Sequence, residues 1–392
     1  MKRGVQRRYE TRGTRHEPFS AFIPKALPPD PPLRLEGLQD LAEGANRALG
    51  RLDGISALLP DPSLFLYLYV RKEAILSSQI EGTQSSFSEL LLYEGDLAAG
   101  LRFDDVKEVS RYVAAMSHGL SRMREGFPLS LRLLREIHAI LMAEGRGSEQ
   151  NRGEFRTSQN WIGGTRPGNA AFVPPPEGLV LELMGQMEAF LHDQPRRTPT
   201  LIKAALSHVQ FETIHPFLDG NGRLGRLLIT FLLCAEGAIS EPLLYLSLYF
   251  KQHRERYYEL LQGVRIQGNW EEWLEFFLDG VRTTAEQASG TARRILTLLE
   301  SDRTRLEQIG RGAGSALRVH YAMRRKPLLS IPQASRELGL SAPTIAAALD
   351  TMEKFGIVQE VTGRARDRLF VYGSYLAILN EGTEVEGAGP FL

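Results

Sequence analysis

Apolar residues recur along most of this chain at helical spacing, and the interruptions are marked by proline and glycine. Pro24, Pro28, Pro29, Pro31 and Pro32 mark an extended N-terminal strap. Beyond it the periodicity predicts helices over 35–59, 63–81, 106–124 and 131–142. Thr198 and Pro199 read as N-cap and first position of a helix with Ile202, Ala205, Leu206 and Val209 on one face. Pro216 disfavours helical backbone in the residue before it, so that helix should stop near His215. The next is expected to open near Gly222, carry Leu224, Leu227, Leu228 and Phe231 on one side, and end at Gly237. Helices are also predicted over 254–261, 270–281 and 285–309, with a linker over 310–314.

Two stretches break the helical pattern. Over 160–174 short apolar runs flank a turn rich in Gly, Pro and Asn, which predicts a β-hairpin. After the linker, helices over 315–325, 332–338 and 342–355 precede strands over 357–361 and 369–372 about Gly363, the pattern of a winged helix.

Composition narrows the partners. The 392 residues carry 47 basic and 47 acidic side chains, so no global charge argues for nucleic acid or a membrane surface. A single cysteine, Cys234, excludes an internal disulfide and a cysteine-rich zinc site; it sits in an apolar run and reads as core. The basic N-terminal residues Lys2, Arg3, Arg7, Arg8, Arg12 and Arg15 are interspersed with Glu10 and Glu17 and lack an apolar core, which suggests a flexible arm rather than a secretory signal. The apolar stretch 227–239 is broken by Glu236 and Gly237, short of the roughly 18 residues of a membrane span. A cytoplasmic location and no membrane partner are expected.

The densest chemistry lies in 215–226, where a histidine, an aspartate, an asparagine, two arginines and three glycines fall together. A helix opening at Gly222 would point free amides and its positive dipole end at the loop before it, an anion site. Arg223 and Arg226 could bind neighbouring phosphates, Asp219 could hold Mg²⁺ between them, and His215 could deprotonate a hydroxyl. That set describes nucleotidyl or phosphoryl transfer. Gly220, Gly222 and Gly225 also fit a dinucleotide fingerprint, but a helix precedes them and no βαβ unit surrounds them. His208, Glu212 and His215 share a helical stripe that could ligate a metal, yet Pro216 diverts the chain before a fourth ligand.

The segment 215–226 resembles the H-P-F-x-[DE]-G-N-G-R-x-x-R signature of the Fic family at every specified position. The resemblance implies an all-α Fic helical fold with a short β-hairpin flap, here with a C-terminal winged helix-turn-helix module. It implies an enzyme, a protein adenylyltransferase that moves AMP from ATP to a Ser, Thr or Tyr hydroxyl of a target protein or of itself, with Mg²⁺ as cofactor. By position, His215 is the implied general base and Asp219 the Mg²⁺ ligand. Gly220, Asn221, Gly222 and Arg223 would surround the α- and β-phosphates, Arg226 would reach the γ-phosphate, and Phe217 would pack beneath the loop. Asn160, Trp161, Ile162, Phe172 and Val173 would form the flap that aligns a target segment. Tyr257 and Tyr258 lie where nucleotide contacts often follow the signature, with core packing the alternative.

A second segment, Ser77 to Gly82, places Glu81 at the negative end of a helix, an unfavourable position unless a cation faces it. It resembles the family's inhibitory pattern [ST]-x-x-x-E-[GN]. Glu81 would pair with Arg226 and exclude the γ-phosphate, with Ser77 and Gly82 shaping the helix end. In some relatives the same glutamate serves removal of AMP, which stays open as an alternative.

The expected organisation is an extended arm over 1–34, an N-terminal helical region with the inhibitory helix over 35–100, a catalytic domain over 101–284, a connecting helix and linker over 285–314, the winged helix over 315–380 and a tail over 381–392. Residues 315–373 hold nine basic and five acidic side chains, with Arg364, Arg366 and Arg368 on the expected wing, so phosphate contact is open there. The helix over 342–355 offers few groups able to read base edges. The rival reading is a DNA-binding regulator whose Fic-like domain senses a nucleotide; homo-oligomerisation is also open.

Overall fold

Helices carry most of the chain in the computed structural model, which describes residues 7–14, 17–58, 62–94, 103–144, 151–310, 312–363 and 368–383. Lys2, Arg3 and Arg15 of the basic N-terminal segment, Arg364 and Arg366 of the expected wing, and most of the tail lie outside the described residues. The chain opens with β1 (Arg7–Thr14) and β2 (Glu17–Pro24), an antiparallel hairpin. The flexible arm expected here is therefore paired backbone. Alternating polar side chains concealed it, because its register is fixed by β2 and by a hydrogen bond from Phe22 N–H to Val173 O at 2.9 Å.

Next come α1 (Gln39–Leu58), α2 (Pro62–Ile80), α3 (Phe87–Glu94), α4 (Phe103–Arg124), α5 (Leu131–Leu141) and α6 (Val180–Leu191). The central pair is α7 (Thr200–Ile214) and α8 (Asn221–Ala235), followed by α9 (Ser247–Gln252) and α10 (Arg254–Gln267). Every residue of α7 after its first is buried, so it is the axis around which the others pack. Thr198 does not cap it: its N–H turns back to Asp193 Oδ1 at 3.3 Å, and Pro199 takes the cap position.

The helices expected over 270–281 and 285–309 are one, α11 (Trp270–Glu307). Nothing in Arg282, Thr283 and Thr284 breaks a helix, and Arg282 pairs with Asp279 one turn back at 2.6 Å. Thirty-eight residues at a rise of about 1.5 Å make a strut of roughly 57 Å. The boundary expected at 284 falls inside it. At one end Trp273 is buried and donates to Ala205 O of α7 at 2.9 Å; at the other Asp302 accepts from the Tyr372 hydroxyl at 2.6 Å.

The C-terminal segment holds α12 (Ala313–Arg325), β3 (Leu328–Ser330), α13 (Ile331–Leu338), α14 (Ala342–Lys354), β4 (Gln359–Glu360), β5 (Leu369–Val371) and α15 (Gly373–Asn380). The strands form a small antiparallel sheet in the order β3-β5-β4. Arg368 is tied to Asp350 at 3.0 Å. The turn after α15 reaches back to the first half of the chain, where the Gln79 side-chain amide donates to both Ser85 O and Thr383 O at 3.0 Å. Among the described residues no helix is long and apolar enough to cross a membrane.

The packing of α4 on α8 is close at Gly119, where a β-carbon would sit 2.5 Å from the Phe231 ring and 3.0 Å from Ile137 Cδ1. Gly119→Ala gains up to ~1 kcal/mol of helix propensity but overpacks a rigid ring at a cost of about 1–3 kcal/mol. A lower urea midpoint at unchanged m-value is the expected result.

Candidate active site

Helix α7 ends because His215 adopts a left-handed backbone (φ 50°) with its N–H on Phe211 O, and Pro216 cannot continue the helix. The loop then crosses to α8 through Gly220 (φ 75°), where a side chain would strike Met142. No side chain caps α8, so its first amides remain available to an anion.

The loop is held from four sides. Asn221 accepts the Phe217 N–H at 2.9 Å and donates to Phe217 O at 2.8 Å, so its side chain is engaged in scaffolding rather than free for phosphate. Asn160 donates to His215 O and Phe217 O at 3.2 and 2.9 Å, and Arg156 Nε donates to His215 O at 2.9 Å. Phe217 is fully buried, stacked on His138 with ring centroids 3.7 Å apart. His138 Nδ1 accepts the Gly153 N–H at 2.9 Å, so its proton is on Nε2, which donates to Asp219 O at 3.0 Å. Burial pushes this imidazole down to about 4, which keeps it neutral and the tautomer fixed.

Around the loop a cavity of about 210 Å³ is lined by Glu81, Glu108, His215, Asp219, Gly222 and Arg223 among others. His215 is pushed down to about 3 by burial, then by Arg265 and Arg156, so it is a neutral imidazole able to accept a proton. Arg223 lies 3.3 Å from Glu108 and 3.9 Å from Asp219. Arg226 donates to Ser77 Oγ at 2.8 Å, Ser77 O at 3.0 Å and Glu81 Oε1 at 2.6 Å. A β-carbon on Gly222 would collide with that same Oε1, so the carboxylate rests against the first turn of α8. Burial alone would raise Glu81, but Arg226, then Arg223 and His215, outweigh it and hold the carboxyl below its usual range.

Magnesium takes one or two carboxylates, several waters and substrate phosphates rather than an all-protein cage. Asp219 with Glu108 on the cavity wall fits that demand, and no cluster of three or more metal-ligating side chains occurs among the described residues.

The other expected positions divide. Tyr257 is core: fully buried, with its hydroxyl 2.8 Å from His208 Nε2, while Tyr258 is 41% exposed. His208 bonds Gly225 O through Nδ1 at 2.9 Å, which leaves neither nitrogen for a metal shared with Glu212 and His215. The flap hairpin shrinks to one bridge, Ile162 with Phe172, because Pro174, Pro175 and Pro176 offer no N–H to extend it. Trp161 is exposed at 40%, whereas Phe172 and Val173 are buried beside β2. Gly82 (φ 96°) closes the turn after α2, and Ser77 is buried. Arg156, Glu108, His138 and Glu212 carry site contacts the motif did not mark. A histidine or glutamate on an otherwise apolar helix face was the available signal.

The pattern of the Fic/DOC family N-terminal region matches residues 39–121, and that of the Fic/DOC family matches residues 128–233. A protein adenylyltransferase Fic of Aedes aegypti is 31% identical over 211 residues, covering 53% of this chain and 39% of that protein. One of Drosophila erecta is 29% identical over 188 residues, 48% of this chain and 35% of that protein. The match thus spans well under half of these relatives' length. Among solved structures, a Fic family protein from Desulfovibrio desulfuricans superposes with a TM-score of 0.58 at 20% identity, covering 88% of this chain and 98% of that one, a likeness of fold.

The Glu81–Arg226 contact has a pH signature. A carboxyl held below its unfolded value stabilises the fold above the ordinary carboxylate range and loses that contribution as pH falls through the folded value. Wild type should therefore be more stable than Glu81→Gln near neutrality in urea denaturation, with the difference vanishing in acid.

Proposed function

Given that the chain belongs to the Fic/DOC family, we propose that it is a protein adenylyltransferase, autoinhibited by Glu81, that moves AMP from ATP to a hydroxyl side chain of a protein target. The names of the Aedes and Drosophila relatives support the activity. The observation that carries the autoinhibition is the Glu81 carboxylate, 2.6 Å from Arg226 and pressed against Gly222, on the ground a phosphate would need.

In this reading ATP lays its phosphates along the first turn of α8, with Arg223 beside the α- and β-phosphates and Arg226 beside the γ-phosphate. Asp219, assisted by Glu108, would hold Mg²⁺, which supplies charge neutralisation of the phosphates when bound. His215 accepts the target hydroxyl proton at Nε2, because Nδ1 faces Glu212. The hydroxyl oxygen bonds to the α-phosphorus as the bond to the bridging oxygen of pyrophosphate breaks. Arginines and the α8 amides stabilise the charge that builds on the leaving group. The exposed edge at Trp161, tied through Asn160 to the His215 carbonyl, would align the target segment.

Incubation with Mg²⁺ and α-labelled ATP should label protein strongly in Glu81→Gly, weakly in wild type, and not in the Glu81→Gly/His215→Ala double variant. Equal labelling of wild type and Glu81→Gly would reject the inhibitory role. Labelling that survives loss of His215 would reject the base.

A further inference from the structure

Glu212, on the last turn of α7, enters the transfer scheme only as the group that His215 Nδ1 faces. Its side chain is only 8% exposed, and Oε2 lies 3.9 Å from His215 Nδ1. Both His215 Nδ1 and Glu212 Oε1 are buried without a hydrogen-bond partner among the described residues. Buried polar groups in native interiors are seldom left unpaired. Here a donor and a carboxylate look at each other across a gap that a movement of about 1 Å would close to hydrogen-bond distance. Catalytic contacts are often long before substrate binds and tighten in the complex. The facing helix is shaped for this carboxylate: a β-carbon on Gly225 would collide with Glu212 Oε1.

We propose that Glu212 is the positioning residue of the base: its carboxylate accepts a hydrogen bond from Nδ1–H of His215, thereby leaving Nε2 free to receive the proton of the target hydroxyl, and balances the imidazolium that forms. This rests on the transfer reading above. Charge around the base makes the same demand. His215 feels two cations, Arg265 and Arg156, and the Glu81 carboxylate; the Glu212 backbone carbonyl also favours the protonated ring, and the Glu212 carboxylate lies 3.9 Å from Nδ1. Nucleotide entry requires Glu81 to withdraw. Glu212 then remains to offset both arginines when the imidazole gains its proton.

Glu212 itself is surrounded by Arg226 and Arg265, Glu81, and the Tyr257 and Tyr258 hydroxyls, with its own backbone carbonyl accepting from Arg265 at 3.0 Å. Burial pushes it up to about 7, with Arg226 opposing and Glu81 adding to the rise. A carboxylate that protonates near neutrality should slow transfer as pH is lowered through that value.

The test compares Glu81→Gly with Glu81→Gly/Glu212→Gln, using α-labelled ATP and Mg²⁺ across that pH range, together with nitrogen-15 imidazole NMR of His215 in both proteins without nucleotide. The expected result is a fall in kcat on the order of 10²-fold with KM for ATP unchanged. The parent's rate should decline as pH falls through the Glu212 titration, which loss of the Glu81 charge places below that of wild type, and the decline should disappear in the Gln variant. The His215 nitrogens should sense the same titration in the parent and lose it with Glu212→Gln. A purely structural role would instead lower the thermal midpoint while leaving the pH profile and the NMR titration intact, and that outcome overturns the proposal. Should the parent transfer no label, the transfer reading fails on its own, and the NMR comparison still decides whether Glu212 is coupled to His215.

Discussion

A guanidinium with 2% of its side chain exposed, that of Arg226, sits in the middle of a helical core and must be answered by other groups. Ser77 answers with its hydroxyl and carbonyl, and Glu81 with a carboxylate. Two further buried carboxyls, Glu73 and Glu212, feel the same charge, and burial pushes both up to about 7. Glu81 is the one of the three held firmly ionised, since it also feels Arg223 and His215. Its side chain is 36% exposed and lies on the turn that Gly82 closes, so it can be exchanged for another anion at small structural cost. One buried cation thereby accounts for the Glu81 contact and, in the function proposed above, would account for phosphate binding once Glu81 withdraws.

The loop that bears His215 is tied down for a related reason. Its polar backbone groups are occupied by side chains from elsewhere in the chain, namely Arg156 and Asn160 from the flap region, His138 from α5 and Asn221 from α8. Four side chains from three segments fix one short loop, so little reorganisation would remain to be done were a substrate to arrive. What these contacts leave facing the cavity are the imidazole of His215 and the first turn of α8, where the Glu81 carboxylate rests; the proposed proton transfer and phosphate binding would use both.

How much of this was legible in the sequence follows the range of each interaction. The end of α7 at His215 and the start of α8 were readable because Pro216 and the glycines act on their own neighbours. The pairing of Glu81 with Arg226 was expected from a motif, although 145 residues separate the partners. His138 was not marked, because a histidine on an apolar helix face looks like ordinary core until Phe217 and Asp219 are placed beside it. The hairpin β1–β2 escaped for the same reason: its polar alternation becomes a strand pair only against Val173. Conversely, α11 was divided where only weak helix formers, Thr283 and Thr284, stood, and tertiary burial of Thr284 and Ala285 overrode propensity.

Gly222 and Gly225 bring these strands of argument together. Read along the sequence, Gly222 is a glycine of the expected phosphate loop, and Gly225 fills an unspecified position of the signature. In the folded chain each presents bare backbone, one turn apart on α8, to a different carboxylate: Gly222 to Glu81 and Gly225 to Glu212. The two acids differ in how they are held. Glu81 arrives from a turn at the cavity wall, whereas Glu212 projects from α7, the most buried helix of the molecule, and is 8% exposed. An incoming triphosphate could displace the first without disturbing the fold, but not the second. In the function proposed above, the first turn of α8 accepts either the Glu81 carboxylate or a phosphate while its second turn keeps Glu212 beside His215, so neither glycine can carry a side chain.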